Sequence, residues 1–473
     1  MRSPLVCLLL VAAFVRCSYA GDGALPVVTH RALRVAFQLT DHRIRAEADL
    51  TLANRTDAPV REIPLLLYRL FNVDRVSVEG DGVPALRQSV VALTDEPSLQ
   101  AREVVVTLPE PLPPGGTVRL TIGYGGFLFG YPEVMAYVRD RIDKEYALLR
   151  PDAYAYPMVA RPSFESTIAS YNDLFSYDVE ATVPNGYVAA CGGEAVGTRR
   201  PSPDSTTFIF KSKVPTWRLD LAVAPFRLVR DSSEEIVVYH LPEDSAGARA
   251  VARASGKVSA LYAALFGRPR QARGYTVIEI PEGWGSQAGD LYFLQTAAAF
   301  KDTANMREVY HEIGHSWNAR ASAAVQRSRY FDEAFASYFA ALALRAFEGE
   351  ARYREEMERS RDRFRRSVAS DSSAASTPIA EYGARELGRH SYTKGAWSLY
   401  VLARLIGDDA FARVVRAMLH ESGETDFQGF QRICEREAGR ELGRFFNEWI
   451  YGATSSSLLT GGVDVDVMAG RYR

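Results

Sequence analysis

Residues 308–318 read Glu308-Val-Tyr-His311-Glu312-Ile-Gly-His315-Ser-Trp-Asn318, and residues 330–340 read Tyr330-Phe-Asp-Glu333-Ala-Phe-Ala-Ser-Tyr-Phe-Ala. In the first stretch two histidines stand four apart in a helical pattern, which sets both imidazoles on one helix face, close enough to share one zinc ion at roughly 2.0–2.1 Å. Glu312 follows the first histidine and can reach a water at that ion, which is what a general base needs. The second stretch is an amphipathic helix whose start carries Glu333 among Phe331, Ala334, Phe335 and Ala336. An ionised carboxylate in apolar surroundings needs a partner, and a metal supplies one. His311, His315 and Glu333 are the candidate ligands of one Zn2+ per chain, a set that leaves a fourth position for water or substrate.

Outward from this centre, the second half of the chain is helical. Periodic patterns over about 246–266, 303–320, 331–347, 352–367, 392–405, 411–420 and 427–437 predict helices, with strands only at 236–239 and 275–280. Before about Val229 the character is different. Short alternating runs such as Leu33-Arg-Val-Ala-Phe-Gln-Leu and Val118-Arg-Leu-Thr-Ile are separated by turn clusters such as Pro113-Pro-Gly-Gly, the pattern of a largely antiparallel β domain. The expected order is a β domain over 21–229, an α-rich domain with a small sheet over 230–455, and a tail over 456–473.

The leader MRSPLVCLLLVAAFVRCSYA has Arg2, an apolar stretch from Pro4 to Val15, and small residues Ser18 and Ala20 before Gly21. That is a signal-peptide pattern over 1–20. Its apolar run is too short for a spanning helix of about 20 residues, although an uncleaved anchor is the competing reading. Secretion, to an extracellular or periplasmic space, is therefore expected, with no membrane-spanning segment in the mature chain. The net charge of −2 and the dispersed basic residues argue against nucleic acid as a partner. After the leader only Cys191 and Cys434 remain, without metal spacing or a disulfide framework, and they read as two small buried side chains.

The sequence resembles the aminopeptidase-N-like gluzincin zinc metallopeptidases. Those enzymes pair HExxH with a glutamate eighteen intervening residues on, in a phrase like WLNEGFA; here YFDEAFA follows after seventeen. A second family phrase, YxKG, matches Tyr392-Thr-Lys394-Gly395. The resemblance implies that Tyr392 stabilises the oxyanion of the tetrahedral intermediate beside Glu312 as base, which suits a neutral phenol donor. It implies a thermolysin-like fold for the α-rich zinc domain behind the β domain. It also implies that Gly285, Ser286, Gln287 and Ala288 form the strand that pairs with substrate, in the place of the family's GxMEN. There the family has a glutamate that binds the free amino terminus, and this chain has Gln287. An amide brings no negative charge, so anchoring of an ammonium should be weaker, with Asp290 or Glu282 as possible substitutes.

Many members continue into a large helical domain, whereas this chain stops about twenty residues after Gly452. A more open cleft is expected. The function that follows is hydrolysis of peptide or protein substrates, as an aminopeptidase with altered anchoring. The alternatives are a zinc endopeptidase with an open cleft and a secreted binding or assembly module that retains the zinc site.

Overall fold

In a computed structural model, residues 25–473 are described except for 81, 232–234, 270–273, 305 and 421–423. The signal-peptide pattern over 1–20 lies outside the described residues.

The alternating runs fold as expected from their period. In Val27–Gln38 the side chains of Leu33, Val35 and Phe37 turn inward while Arg34 and Gln38 face out, and Ser176–Pro184 buries Tyr177, Val179, Ala181 and Val183 in the same way. These two strands belong to a seven-stranded sheet, in the order 194–202, 205–211, 176–184, 27–38, 43–53, 117–127, 71–78. A four-stranded sheet (85–92, 100–112, 60–68, 158–159) packs with it around one core that includes Leu50, Leu65, Leu67, Tyr68 and Tyr124. The sheets are mostly antiparallel, as expected, with one exception. Val27–Gln38 and Ser176–Pro184 run parallel, His30 opposite Ser176, so the first strand is closed over by a segment far along the chain. A short helix, Phe164–Ser170, also interrupts the β domain.

A three-stranded sheet (188–191, 221–224, 147–149) leads to a five-stranded mixed sheet in the order Arg227–Asp231, Ile236–His240, Thr276–Ile280, Tyr292–Thr296, Gln287–Gly289. Tyr146, Leu148, Ala222 and Phe226 share a core with Ile278, Ile280, Trp284 and Leu294, so the two sheets are fused by apolar packing. The expected boundary at 229 falls inside the strand Arg227–Asp231, which pairs with Ile236–His240 and so belongs to the second sheet. Within that sheet the helix Ser245–Phe266 makes the crossover between the parallel strands 236–240 and 276–280.

The helices that follow are Arg307–Gly314, Phe335–Glu348, Glu350–Ser370, Lys394–Ile406, Asp408–His420 and Phe427–Ala438. They surround a core rich in aromatic rings, in which Phe331, Phe335, Phe427 and Phe430 contact one another and Tyr330. The expected tail 456–473 is instead two short helices, Ser455–Thr460 and Val465–Gly470, and Leu459, Val465, Met468 and Tyr472 complete this core. Apolar side chains at 465, 468 and 472 form a helical stripe that has somewhere to go. Cys191 and Cys434 are both buried and free.

Candidate zinc centre

The motif helix is short, Arg307–Gly314, and tightens into a 3-10 turn over His315–Trp317. Its imidazoles meet edge to face, ring centres 4.9 Å apart, and His311, Glu312 and His315 bring ligand atoms within 4.8 Å of one another. Across from them the helix carrying Glu333 begins with a π-helical turn, Tyr330–Ala334, entered through Arg329 in the left-handed region at φ 57°. The one-residue excess of a π turn rotates a side chain by about 100° relative to an α register. Here Glu333 points at the histidines: its Oε2 lies 3.0 Å from His311 Nε2 and 3.6 Å from His315 Nε2.

Two glycines make these approaches possible. A Cβ on Gly314 would meet the backbone of Ala336 at 3.3 Å, and one on Gly395 would come within 2.8 Å of the Ala334 side chain. Gly395→Ala therefore wedges the Tyr392 segment away from the Glu333 helix. A net loss of about 1–2 kcal/mol is expected, overpacking outweighing the gain in helix propensity. Urea unfolding measures it, and an unchanged midpoint would show that the contact can relax.

Do these residues fit the metal? Tetrahedral zinc with bonds of about 2.0–2.1 Å separates its ligand atoms by about 3.4 Å, and the distances of 3.0 and 3.6 Å from Glu333 bracket that value. Burial pushes the His315 imidazolium down to about 3, so this ring is neutral, as a ligand must be. Burial works against the charge on Glu333, but Arg329 and the two imidazoles outweigh it and hold the carboxyl well below its usual range. Glu312 is 6% exposed, and its Oε2 is buried without a hydrogen-bond partner among the described residues. An orphaned carboxylate oxygen beside a three-ligand cluster is placed to receive a proton from water. The residues fit.

Tyr392 stacks its ring on His311, centres 5.8 Å apart and planes 14° apart, and is 38% exposed, so the centre opens to solvent on this side. Desolvation and the nearby Glu333 carboxylate hold its hydroxyl well above the ordinary tyrosine value, so it remains a donor.

Two further carboxylates beside the site, Glu308 and Asp332, are engaged elsewhere. Glu308 accepts from Ser286 Oγ, and Asp332 accepts from Arg329 Nε at 2.7 Å, so neither serves a histidine. The imidazole Nδ1 atoms instead face Ser337 Oγ at 3.5 Å for His311 and the Asn318 amide at 2.7 Å for His315. Arg329 was not singled out in the sequence; one of its Nη atoms donates to Glu333 Oε1, which leaves Oε2 to the histidines.

The substrate strand also needs correction. Gln287–Gly289 is an edge strand of the five-stranded sheet, paired on one side with Tyr292–Thr296, so its other edge is available for β-addition. Ser286, however, is turned inward, accepting from Thr296 N and Gln295 Nε2 while donating to Glu308. Gln287 Oε1 already accepts from Arg150 Nη1 at 3.1 Å and Arg218 Nη2 at 2.8 Å, which fills both lone pairs. It cannot take a substrate ammonium. Glu282 accepts from Ala298 N, while Asp290 interacts with Thr216 and Trp217 and keeps its Oδ2 buried without a hydrogen-bond partner among the described residues. The carboxylate beside Gln287 is Asp152, whose Oδ1 accepts from Gln287 Nε2 at 2.9 Å and whose Oδ2 pairs with Arg218 at 3.0 Å.

Residues 289–449 match the peptidase family M1 domain. Among solved structures, the M1 zinc metallopeptidase of Deinococcus radiodurans, as a point mutant bound to a Tyr-Ser-Ala substrate, is 19% identical with a TM-score of 0.64, over 90% of this chain and 94% of that chain. A two-domain M1 zinc metallopeptidase mutant bound to L-arginine is 18% identical over 90% of this chain and 95% of that one, also at 0.64. At this identity the likeness shows a shared two-part fold. No curated protein sequence matches the chain. The family match spans His311, Glu312, His315, Glu333 and Tyr392 and falls on a centre whose spacing suits the metal: residues 289–449 carry a peptidase family M1 domain, with the residues of a zinc peptidase.

Proposed function

We propose that this peptidase removes residues from the free amino terminus of peptides, with Asp152, not residue 287, as the anchoring carboxylate. The observation that carries this reading is the charge of the cluster around Gln287. Two guanidinium groups, Arg150 and Arg218, stand against three carboxylates, Asp140, Asp152 and Asp220. One negative charge is left over. Burial works against the charge on Asp152, but Arg218 and Arg150 hold its carboxyl below the ordinary value, so it stays ionised beside the edge strand. Gln287, Arg218 and its own backbone N–H take three of its four lone-pair sites, so the carboxylate can still accept from an ammonium group.

In this reading an extended peptide adds to the free edge of Gln287–Gly289, its amino terminus toward Asp152 and its first carbonyl toward the centre. Zinc, when bound by His311, His315 and Glu333, supplies Lewis-acid polarisation and lowers the pKa of water toward about 7. Glu312 takes the proton of the attacking water on its orphaned Oε2 and passes it to the leaving amine. Tyr392 donates its hydroxyl hydrogen to the oxygen that becomes negative.

The saturation of Gln287 Oε1 by two arginines favours a second reading, internal cleavage with no use of the amino terminus. One peptide with its terminus free and then acetylated separates the two, with Glu312→Gln as the blank. Release of only the first residue, from the free form alone, supports the aminopeptidase; equal cleavage of both forms at internal bonds supports the endopeptidase. Zinc uptake without hydrolysis of any peptide would support a binding module. Asp152→Asn should raise KM for free-amino peptides by about 10-fold or more, the worth of a charge-assisted hydrogen bond. A KM within twofold of the parent would remove Asp152 from the anchor. The leader pattern further supports export; the amino-terminal residue of the protein recovered outside the cytoplasm tests cleavage before Gly21.

A further inference from the structure

Asn318 closes the turn after the motif helix, its backbone N–H donating to His315 O at 3.2 Å. Its side-chain amide lies 2.7 Å from His315 Nδ1 with the nitrogen foremost. That sense makes Nδ1 the acceptor and, in a neutral ring, puts the proton on Nε2. Nε2 is the atom that faces Glu333 Oε2 and must offer a lone pair to a metal. With the proton moved to Nδ1, two N–H groups would confront each other at 2.7 Å.

The far end of the amide resolves the conflict. Asn318 Oδ1 is buried and has no hydrogen-bond partner among the described residues, so no contact fixes the amide in its present sense. Amide oxygen and nitrogen are nearly identical in shape, and a half-turn about the Cβ–Cγ bond exchanges them in place.

We propose, building on the zinc-peptidase assignment, that Asn318 is a positioning residue for His315. In the metal-competent form its Oδ1 accepts from Nδ1–H, which fixes the tautomer and the ring plane and leaves Nε2 as the donor atom. The Nε2–H bond breaks and an Nδ1–H bond forms, the proton passing through solvent, and the amide turns about its Cβ–Cγ bond. For His311 the corresponding contact, Ser337 Oγ at 3.5 Å, is much longer, so the second histidine carries the stronger outer constraint.

The experiment uses the full chain as the parent, Asn318→Leu, which keeps the approximate shape but no acceptor, and Asn318→Asp, which keeps the acceptor. Zinc affinity is read by competition with a chromophoric chelator. Asn318→Leu should bind zinc about 10–100-fold more weakly, as is usual for the loss of such a partner, and Asn318→Asp should recover most of that loss. Equal affinity of Asn318→Leu and parent, or Asn318→Asp as weak as Asn318→Leu, overturns the proposal. If the leucine variant does not fold, the ring nitrogens of His315 in the zinc-loaded parent decide by 15N NMR. A hydrogen-bonded proton on Nδ1 supports the assignment, and its absence overturns it. A parent that takes up no zinc overturns the zinc assignment itself, a result distinct from either.

Discussion

Replacing Glu312 with Gln should lower kcat by about 10²–10⁴-fold while zinc content and KM stay within a few-fold of the parent. The amide has the same shape, so the packing of a side chain only 6% exposed is kept. What is lost is basicity. In the parent, burial raises the Glu312 carboxyl well above its usual value, and the charges of Glu333 and Glu308 raise it further. The group thus holds a proton far more readily than a solvated carboxylate, which suits one that must accept from water and then release to an amine. Retention of a tenth or more of the parent kcat would mean that the orphaned Oε2 is not the proton acceptor. Steady-state kinetics at saturating zinc, with metal content measured on the same sample, provides the check.

Tyr392→Phe should cost about 10²–10³-fold in kcat, the usual consequence of removing one oxyanion donor, or about 2.7–4 kcal/mol of barrier. The phenylalanine retains the stacking on His311, so zinc affinity should not change. KM should move little, because the hydroxyl acts on charge that develops only as the carbonyl becomes tetrahedral. A variant that loses zinc, or one whose KM rises while kcat holds, would place Tyr392 in support of the metal or in ground-state binding instead. The hydroxyl is suited to donation because desolvation and Glu333 disfavour the phenolate.

The centre was legible in the sequence because helices encode it locally. Two histidines four apart share a face wherever a helix forms, and Glu333 sits in an apolar helix start that announces its own burial, at 4% exposure. The neighbourhood of Gln287 was not legible, for the opposite reason. Arg150, Asp152 and Arg218 are single charged residues with no pattern around them, brought to Gln287 across 137, 135 and 69 positions by the β topology. The parallel pairing of the first strand escaped for the same cause, since alternation tells which face of a strand is buried but not which strand lies beside it. Glu308 accepts from Ser286, twenty-two positions away, a contact no local pattern announces, and Asp332 accepts from Arg329 three positions before it.

The fused core and the five charges around Gln287 bear on portability. Gln287 belongs to the catalytic sheet, yet Arg150, Asp152 and Arg218 all come from segments flanking the three-stranded sheet that precedes it. A fragment cut to the metallopeptidase half would keep both histidines, Glu312, Glu333 and Tyr392, and would lose every partner that fills the oxygen of Gln287. It would also bare Ile278, Ile280, Trp284 and Leu294, which now pack against Tyr146, Leu148 and Phe226. In the proposed function, the groups that cut and the carboxylate that holds the amino terminus come from different stretches of chain. On that reading, grafting the catalytic half onto another scaffold would transfer the zinc centre without the proposed amino-terminal anchor.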